Sequence, residues 1–230
     1  MKTLVIIPAF NESASIVKTV KDIEDNAPGF DYIIINDCST DNMKQICREN
    51  NLNVINLPVN LGIGGAVQTG YKYAMENGYD AAVQFDGDGQ HKAEYLKSMA
   101  EMLEGEELDM VIGSRFIEKQ GFQSTIIRQF GIKWFTVLIA VLTGKKITDP
   151  TSGMRMAGKS LIIQFAKRYP RDYPEPETVA SVLFQKKKVK EMAVRMRERE
   201  EGVSSISPKK SIYYMVKVTL AILLVALRRY

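Results

Sequence analysis

The chain has 230 residues, of which 45% are hydrophobic and 25% charged, with a formal net charge of +4, two cysteines and one histidine. That is enough length and apolar content for one globular core, and too little cysteine and histidine for a zinc site or a disulfide framework. Basic residues crowd the C-terminal third, which suits a phosphorylated ligand or an anionic membrane surface; nucleic acid is set aside, because no RNP, KH or helix-turn-helix pattern accompanies the charge.

The apolar run in MKTLVIIPAFNE is too short for a signal peptide and leads straight into a strand, so the chain is expected on the cytoplasmic side. Five short apolar runs read as strands: 4–7, 32–35, 53–57, 81–85 and 110–112. Between them, 13–25, 41–50, 64–77 and 93–103 carry helical periodicity. Alternating strands and helices predict an α/β fold with a mostly parallel sheet flanked by helices. Ligands of such sheets sit at the carboxyl ends of the strands. Attention therefore falls on residues 8–12, 36–41, 60–65, 86–91 and 113–116.

The second half is less regular. Helices are expected over 126–142, 159–167 and 178–185, a strand over 189–196, and RYPRDYPEPE reads as a loop. Residues 206–230 form a tail whose apolar helix is flanked by Lys209, Lys210, Arg228 and Arg229. Its run from Val218 to Leu227 is about half of the ~20 residues needed to span a bilayer. An interfacial helix on the membrane is the expectation, with packing on the domain or on a second subunit as the alternative.

The stretch FDGDGQH carries the densest chemistry. Asp86 and Asp88 follow a strand in extended backbone, so their side chains project to the same side. Two carboxylates there make an oxygen-rich half-site for Mg²⁺ or Mn²⁺, to be completed by phosphate oxygens. Gln90 offers a carbonyl oxygen, and His91 a ring nitrogen for a phosphate. Asp37 is read as a ligand for a base or ribose, and Asp41 as a helix cap. NLGIGGAVQTGY fails the dinucleotide fingerprint because Val67 stands where a glycine is required. Its glycines, Gly64 among them, are read as letting the helix pack closely and approach a nucleotide.

PAFNE, NDCSTD, NLGIGGA, DGDGQH, GSRF and DPTSGMR occur in the order and spacing of family 2 glycosyltransferases with the GT-A (Rossmann-like) fold. The chain resembles in particular the branch with dolichol-phosphate mannose synthase and bacterial polyprenyl-phosphate sugar transferases, over roughly residues 3–205. The resemblance implies an inverting, metal-dependent transfer of a hexose from a nucleotide diphosphate sugar, in the uridine series, to a polyprenyl phosphate. It implies that Pro8, Ala9, Asn11, Glu12 and Asp37 hold the nucleoside, and that Asp86, Asp88 and Gln90 form the metal–diphosphate site. Arg115 matches a residue facing the phosphates or the acceptor, and Arg128 the arginine of a mobile acceptor loop. Arg199 and Ser204 match a phosphate-binding segment, and His91 is placed at phosphate or acceptor.

A lipid monophosphate needs no general base, whereas a sugar hydroxyl does. Asp149, Glu175 and Glu177 are the carboxylates available, and Asp149 and Glu177 are carried forward as catalytic candidates. Transfer to a lipid-linked saccharide, or non-catalytic nucleotide-sugar binding at a membrane, are the alternative functions. Many bacterial relatives of that branch carry two or more full transmembrane helices after the catalytic domain; at most one short apolar helix here implies a peripheral enzyme at the cytoplasmic face.

Overall fold

The computed structural model describes residues 1–118, 126–198 and 208–227, and within these all side chains except those of 126–128 and 208–212. Chain order runs β1 (Thr3–Ala9), α1 (Ile16–Asn26), β2 (Asp31–Asn36), α2 (Met43–Glu49), β3 (Val54–Asn56), α3 (Gly62–Glu76) and β4 (Ala81–Gln84). A single 3₁₀ turn, Ala93–Tyr95, then precedes α4 (Leu96–Gly105), β5 (Met110–Ser114) and α5 (Ile126–Thr143). β6 (Arg155–Gly158), α6 (Lys159–Lys167), α7 (Pro174–Phe184), β7 (Val189–Ala193) and α8 (Pro208–Ala226) complete it.

The strands make one sheet in the order β3-β2-β1-β4-β6-β5-β7. Every pairing is parallel except those of β6, which runs antiparallel to β4 and β5. Both faces are covered, so β1 is buried throughout and runs apolar from Leu4 rather than alternating. Leu4 and Ile6 enter the core beneath α3, α5, α6, α7 and α8, and Val5 and Ile7 the core beneath α1, α2 and α4. Gly70 lets α3 lie directly on β1: a Cβ there would run into Ile6.

The tail is not a separate layer. Val218 and Ile222 of α8 belong to the same core as Phe135 and Ile139 of α5, and Trp134 Nε1 donates to Thr219 Oγ1 at 2.9 Å across the two helices. No helix among the described residues is long and apolar enough to cross a membrane.

Two local expectations are revised. DPTSGMRM runs into strand β6, which was not expected because it is too short and too polar at Arg155 to register as an apolar run. YPEPE is not a loop but the first turn of α7, where proline is tolerated because the first helical N–H groups have no intrahelical partner.

Candidate active site

β2 and β3 lie on one side of β1 and β4 on the other, so the strand order reverses between β1 and β4. Open α/β sheets bind ligands over that point. A cavity of about 470 Å³ opens there, lined by Pro8, Ala9, Glu12, Asp37, Asp86, Asp88 and Glu175 among others.

The two loops after β1 and β2 brace one another. Asn11, in left-handed backbone with φ 58°, accepts from the Thr40 N–H at 2.8 Å through Oδ1, and its own N–H donates to Ser39 Oγ at 3.0 Å. Its side-chain amide thus knits the loops, while Pro8, Ala9 and Glu12 line the cavity. Asp41 Oδ1 accepts from the N–H of Met43, the first residue of α2. Asp37 is 3% exposed. Its oxygens take the N–H groups of Leu61 at 2.7 Å and Gly62 at 2.9 Å. One buried carboxylate therefore fixes the glycine-rich turn and also forms part of the cavity wall.

Gly64 does not reach the cleft. Its N–H donates to the Arg171 carbonyl at 3.0 Å, and a Cβ there would collide with the backbone of Pro170 and Arg171. The glycine serves the close packing of α3 on the loop before α7, whereas Gly62, Ile63 and Ala66 line the cavity.

The acidic turn is built from beneath. Thr19 and Ser15 hydroxyls donate to the Gly87 carbonyl at 3.3 and 2.8 Å. His91 is 3% exposed, stacks edge-on against Phe85, and accepts the Asp86 N–H at Nδ1, 3.0 Å. The histidine thus props the turn and does not line the cavity, and its Nε2 lies 3.6 Å from Asp86 Oδ2. The Gln90 N–H donates to Asp88 Oδ1 at 3.1 Å, and Gln90 Nε2 reaches the Arg197 carbonyl at 3.4 Å. Asp86 remains 36% exposed in its side chain. It lies against Gly153, where a Cβ would come within 2.7 Å of Oδ2. The donors here are carboxylate oxygens, which suit a hard divalent cation. No group of three or more His, Cys, Asp or Glu side chains that could hold a metal ion converges among the described residues.

Arg115 directly follows β5. Its Nε and Nη2 donate to Asp149 Oδ2 and Oδ1 at 2.7 and 2.8 Å, and its backbone N–H to Oδ2 at 3.2 Å. Asp149 is fully buried and the Arg115 side chain 14% exposed. Glu191 of β7 fixes the Asp149 loop by accepting the N–H groups of Thr148 and Asp149 at 2.7 and 2.8 Å. Burial would lower the guanidinium pKa, but the hydrogen bonds and charge of Asp149 outweigh it and raise it, with Asp86 adding in the same sense. Asp149 is therefore the clamp of Arg115. Thr151 Oγ1 adds a fourth donor at 3.1 Å to Oδ1, so both oxygens are engaged and the expected base role does not fit.

Glu177, the other base candidate, does not line the cavity; Glu175 does. Both sit in the first turn of α7, and residues two apart on a helix face different ways. Burial raises the pKa of Glu175, with the nearby Arg155 charge opposing and Asp86 reinforcing the rise. Arg155, Gln84 and Asn60 also surround the site and went unassigned in the sequence reading. The available signal was a polar residue inside a buried strand, AAVQF and GMRMA. Arg199 and Ser204, and the Arg128 side chain, lie outside the described residues.

The model of the family described as Glycosyl transferase family 2 matches residues 4–165. An undecaprenyl-phosphate mannosyltransferase of Micrococcus luteus is 30% identical over 161 residues, 67% of this chain and 65% of that protein. The match thus spans just under two thirds of that relative's length. A UDP-N-acetylglucosamine–dolichyl-phosphate N-acetylglucosaminyltransferase of Methanococcus voltae is 32% identical over 178 residues, 68% of this chain and 69% of that one. Glucosyl-3-phosphoglycerate synthase of Mycobacterium tuberculosis, crystallised with Mn²⁺, uridine diphosphate and phosphoglyceric acid, superposes with a TM-score of 0.75 at 16% identity. That superposition covers all of this chain and 80% of the synthase, and shows a shared fold.

Proposed function

The chain belongs to glycosyltransferase family 2, and on that footing we propose that it moves a hexose from a uridine diphosphate sugar to a polyprenyl phosphate, with inversion. The observation that carries this reading is a cleft at the point where the strand order reverses, lined by Pro8, Ala9, Glu12, Asp37, Asp86 and Asp88, with the Arg115 guanidinium held by Asp149 after strand β5. Pro8, Ala9, Glu12 and Asp37 take the nucleoside; Asp86 and Asp88, with Gln90 beside them, hold Mg²⁺ or Mn²⁺. When bound, the metal stabilises the negative charge of the departing diphosphate. Arg115 supplies fixed positive charge to phosphate oxygens at no reorganisation cost, because Asp149 already holds it. The acceptor phosphate is itself an anion near neutral pH and attacks without a base.

Glu175 favours a second reading, a sugar hydroxyl on a lipid-linked saccharide as acceptor, because a cleft carboxylate with a raised pKa suits a general base. Glu175→Gln separates the two. With a polyprenyl phosphate acceptor the variant is expected to keep its rate within about tenfold; a base role would cost about 10²–10⁴-fold. The pH profile carries the same distinction. A raised pKa means that Glu175 takes up its proton earlier on acidification, so a base role makes the wild-type rate fall through that value and the variant lose that limb.

The lipid carrier calls for a membrane surface, and α5 and α8 together supply one. Phe130, Trp134, Val137 and Val141 are exposed along α5, and Val216, Leu220 and Leu224 along α8, with Leu227 just after it. Ten of the 31 Lys and Arg, and none of the 27 Asp and Glu, fall in residues 119–148 and 202–230, leaving 21 basic against 27 acidic residues elsewhere. An anionic leaflet gains about 1 kcal/mol for each basic residue near its surface, which favours it over a second copy carrying the same basic segments. We therefore assign this face to the cytoplasmic leaflet. Trp134, the single tryptophan, is expected to shift its emission to the blue on vesicles containing phosphatidylglycerol and not on pure phosphatidylcholine, and Leu220→Glu with Leu224→Glu to abolish the shift. A chain that dimerises and shows no shift on either vesicle overturns the assignment.

A further inference from the structure

Below the cleft, Gln84 at the end of β4 and Arg155 at the start of β6 are paired across the antiparallel ladder. Both are buried, at 1% and 2% exposure. Arg155 Nη2 donates to Gln84 Oε1 at 2.9 Å and to the Tyr169 hydroxyl at 2.9 Å. Nη1 donates to the Glu175 carbonyl at 3.3 Å and to Thr178 Oγ1. No carboxylate closes on the guanidinium as a fork: Glu175 Oε1 approaches only to 4.0 Å. Among buried side-chain atoms of the described residues, Arg155 Nε has no hydrogen-bond partner.

A buried cation whose nearest carboxylate stands 4.0 Å away is costly, and its arrangement here has a directional effect. A side-chain amide has one accepting and one donating end. With the Gln84 oxygen committed to Arg155, the NH₂ must face the other way, and it does: Gln84 Nε2 donates to Asp86 Oδ1 at 3.1 Å. A flipped amide would set its NH₂ against the guanidinium and its oxygen against the carboxylate, repulsive at both ends. Arg155 thus decides that Asp86 receives a hydrogen bond from below.

We propose that Gln84 and Arg155 are positioning residues of the transfer site: Arg155 locks the Gln84 amide, and the locked amide holds the Asp86 carboxylate in place for the metal–diphosphate group. The proposal rests on Asp86 as a metal ligand. Partners that orient metal-bound carboxylates typically govern metal affinity by 10–100-fold, and a relay of this kind acts on metal dependence rather than on the nucleoside pocket.

The test is calorimetric binding of uridine diphosphate across a Mn²⁺ titration, alongside binding of uridine, for the full chain and two variants. In Gln84→Met, near in volume but without the donor, the Mn²⁺ concentration giving half-saturation is expected to rise about tenfold, with uridine binding and cooperative melting retained. Gln84→Asn keeps a polar group beside Arg155 but is too short to reach Asp86; it is expected to show the same shift and serves if the Met variant does not fold. Thr178→Val removes an Arg155 contact on the α7 side, and should lower the melting temperature without moving the Mn²⁺ dependence. A wild-type Mn²⁺ dependence in both Gln84 variants overturns the relay. Equal losses of uridine and uridine diphosphate binding also overturn it, in favour of a purely structural network. Metal-independent diphosphate binding by the wild type removes instead the metal reading of Asp86, and the relay with it.

Discussion

Asp88→Asn is expected to lower sugar transfer by about 10³-fold or more, because the stabilisation of a departing diphosphate by a bound cation is worth several kcal/mol and each 1.36 kcal/mol is about tenfold in rate. The substitution conserves size. It leaves one carboxamide oxygen to accept the Gln90 N–H, now made to Asp88 Oδ1 at 3.1 Å. The turn itself is held by Ser15, Thr19 and His91 from below, so the fold and the uridine pocket should survive. The check is turnover with and without Mn²⁺ beside thermal melting. Full activity in a folded Asp88→Asn protein contradicts the half-site.

Asp149→Asn is expected to have the largest effect on stability. It removes the charge that pairs with Arg115 in a site where Asp149 is wholly buried, and breaking a buried pair from one side costs about 3–5 kcal/mol. For a domain of this size that lowers the melting temperature on the order of 10 °C. Transfer should fall as well, since the guanidinium loses its bidentate seat, and Arg115→Lys should depress turnover with less loss of stability, because the charge stays while the fork is lost. Melting curves and turnover of the two variants decide the matter. An Asp149→Asn protein as stable as wild type yet inactive would return Asp149 to the role of base.

The sheet could be read from the sequence because its strands are buried on both faces and appear as runs such as LVIIPA and DYIIIN. β6 could not, since RMAG is four residues long and starts with an arginine whose burial depends on partners in β4, α7 and the loop before α7. The first turn of α7 was hidden by its prolines, and with it the reason that Glu175 and Glu177 point apart. At the site, Asp86 and Asp88 were legible from strand geometry and local spacing. His91 and Gly64 were not, because each is spent on a neighbour that the sequence does not place beside it: the Asp86 N–H for one and the Arg171 carbonyl for the other. Asp149 illustrates the same limit. A carboxylate in a motif reads as a base or as a partner with equal ease until Arg115, thirty-four positions earlier, is seen to occupy both of its oxygens. Pairings distant in sequence decide which polar residues face a ligand and which face each other.

The measurement that bears most directly on the whole account is turnover of the purified chain with Mn²⁺, a panel of nucleotide sugars and two acceptors in separate reactions, bare polyprenyl phosphate and a lipid-linked saccharide. The expected result is formation of a polyprenyl monophosphate hexose from a uridine diphosphate sugar, with no extension of the saccharide. Extension of the saccharide with no product on the bare lipid phosphate would contradict it.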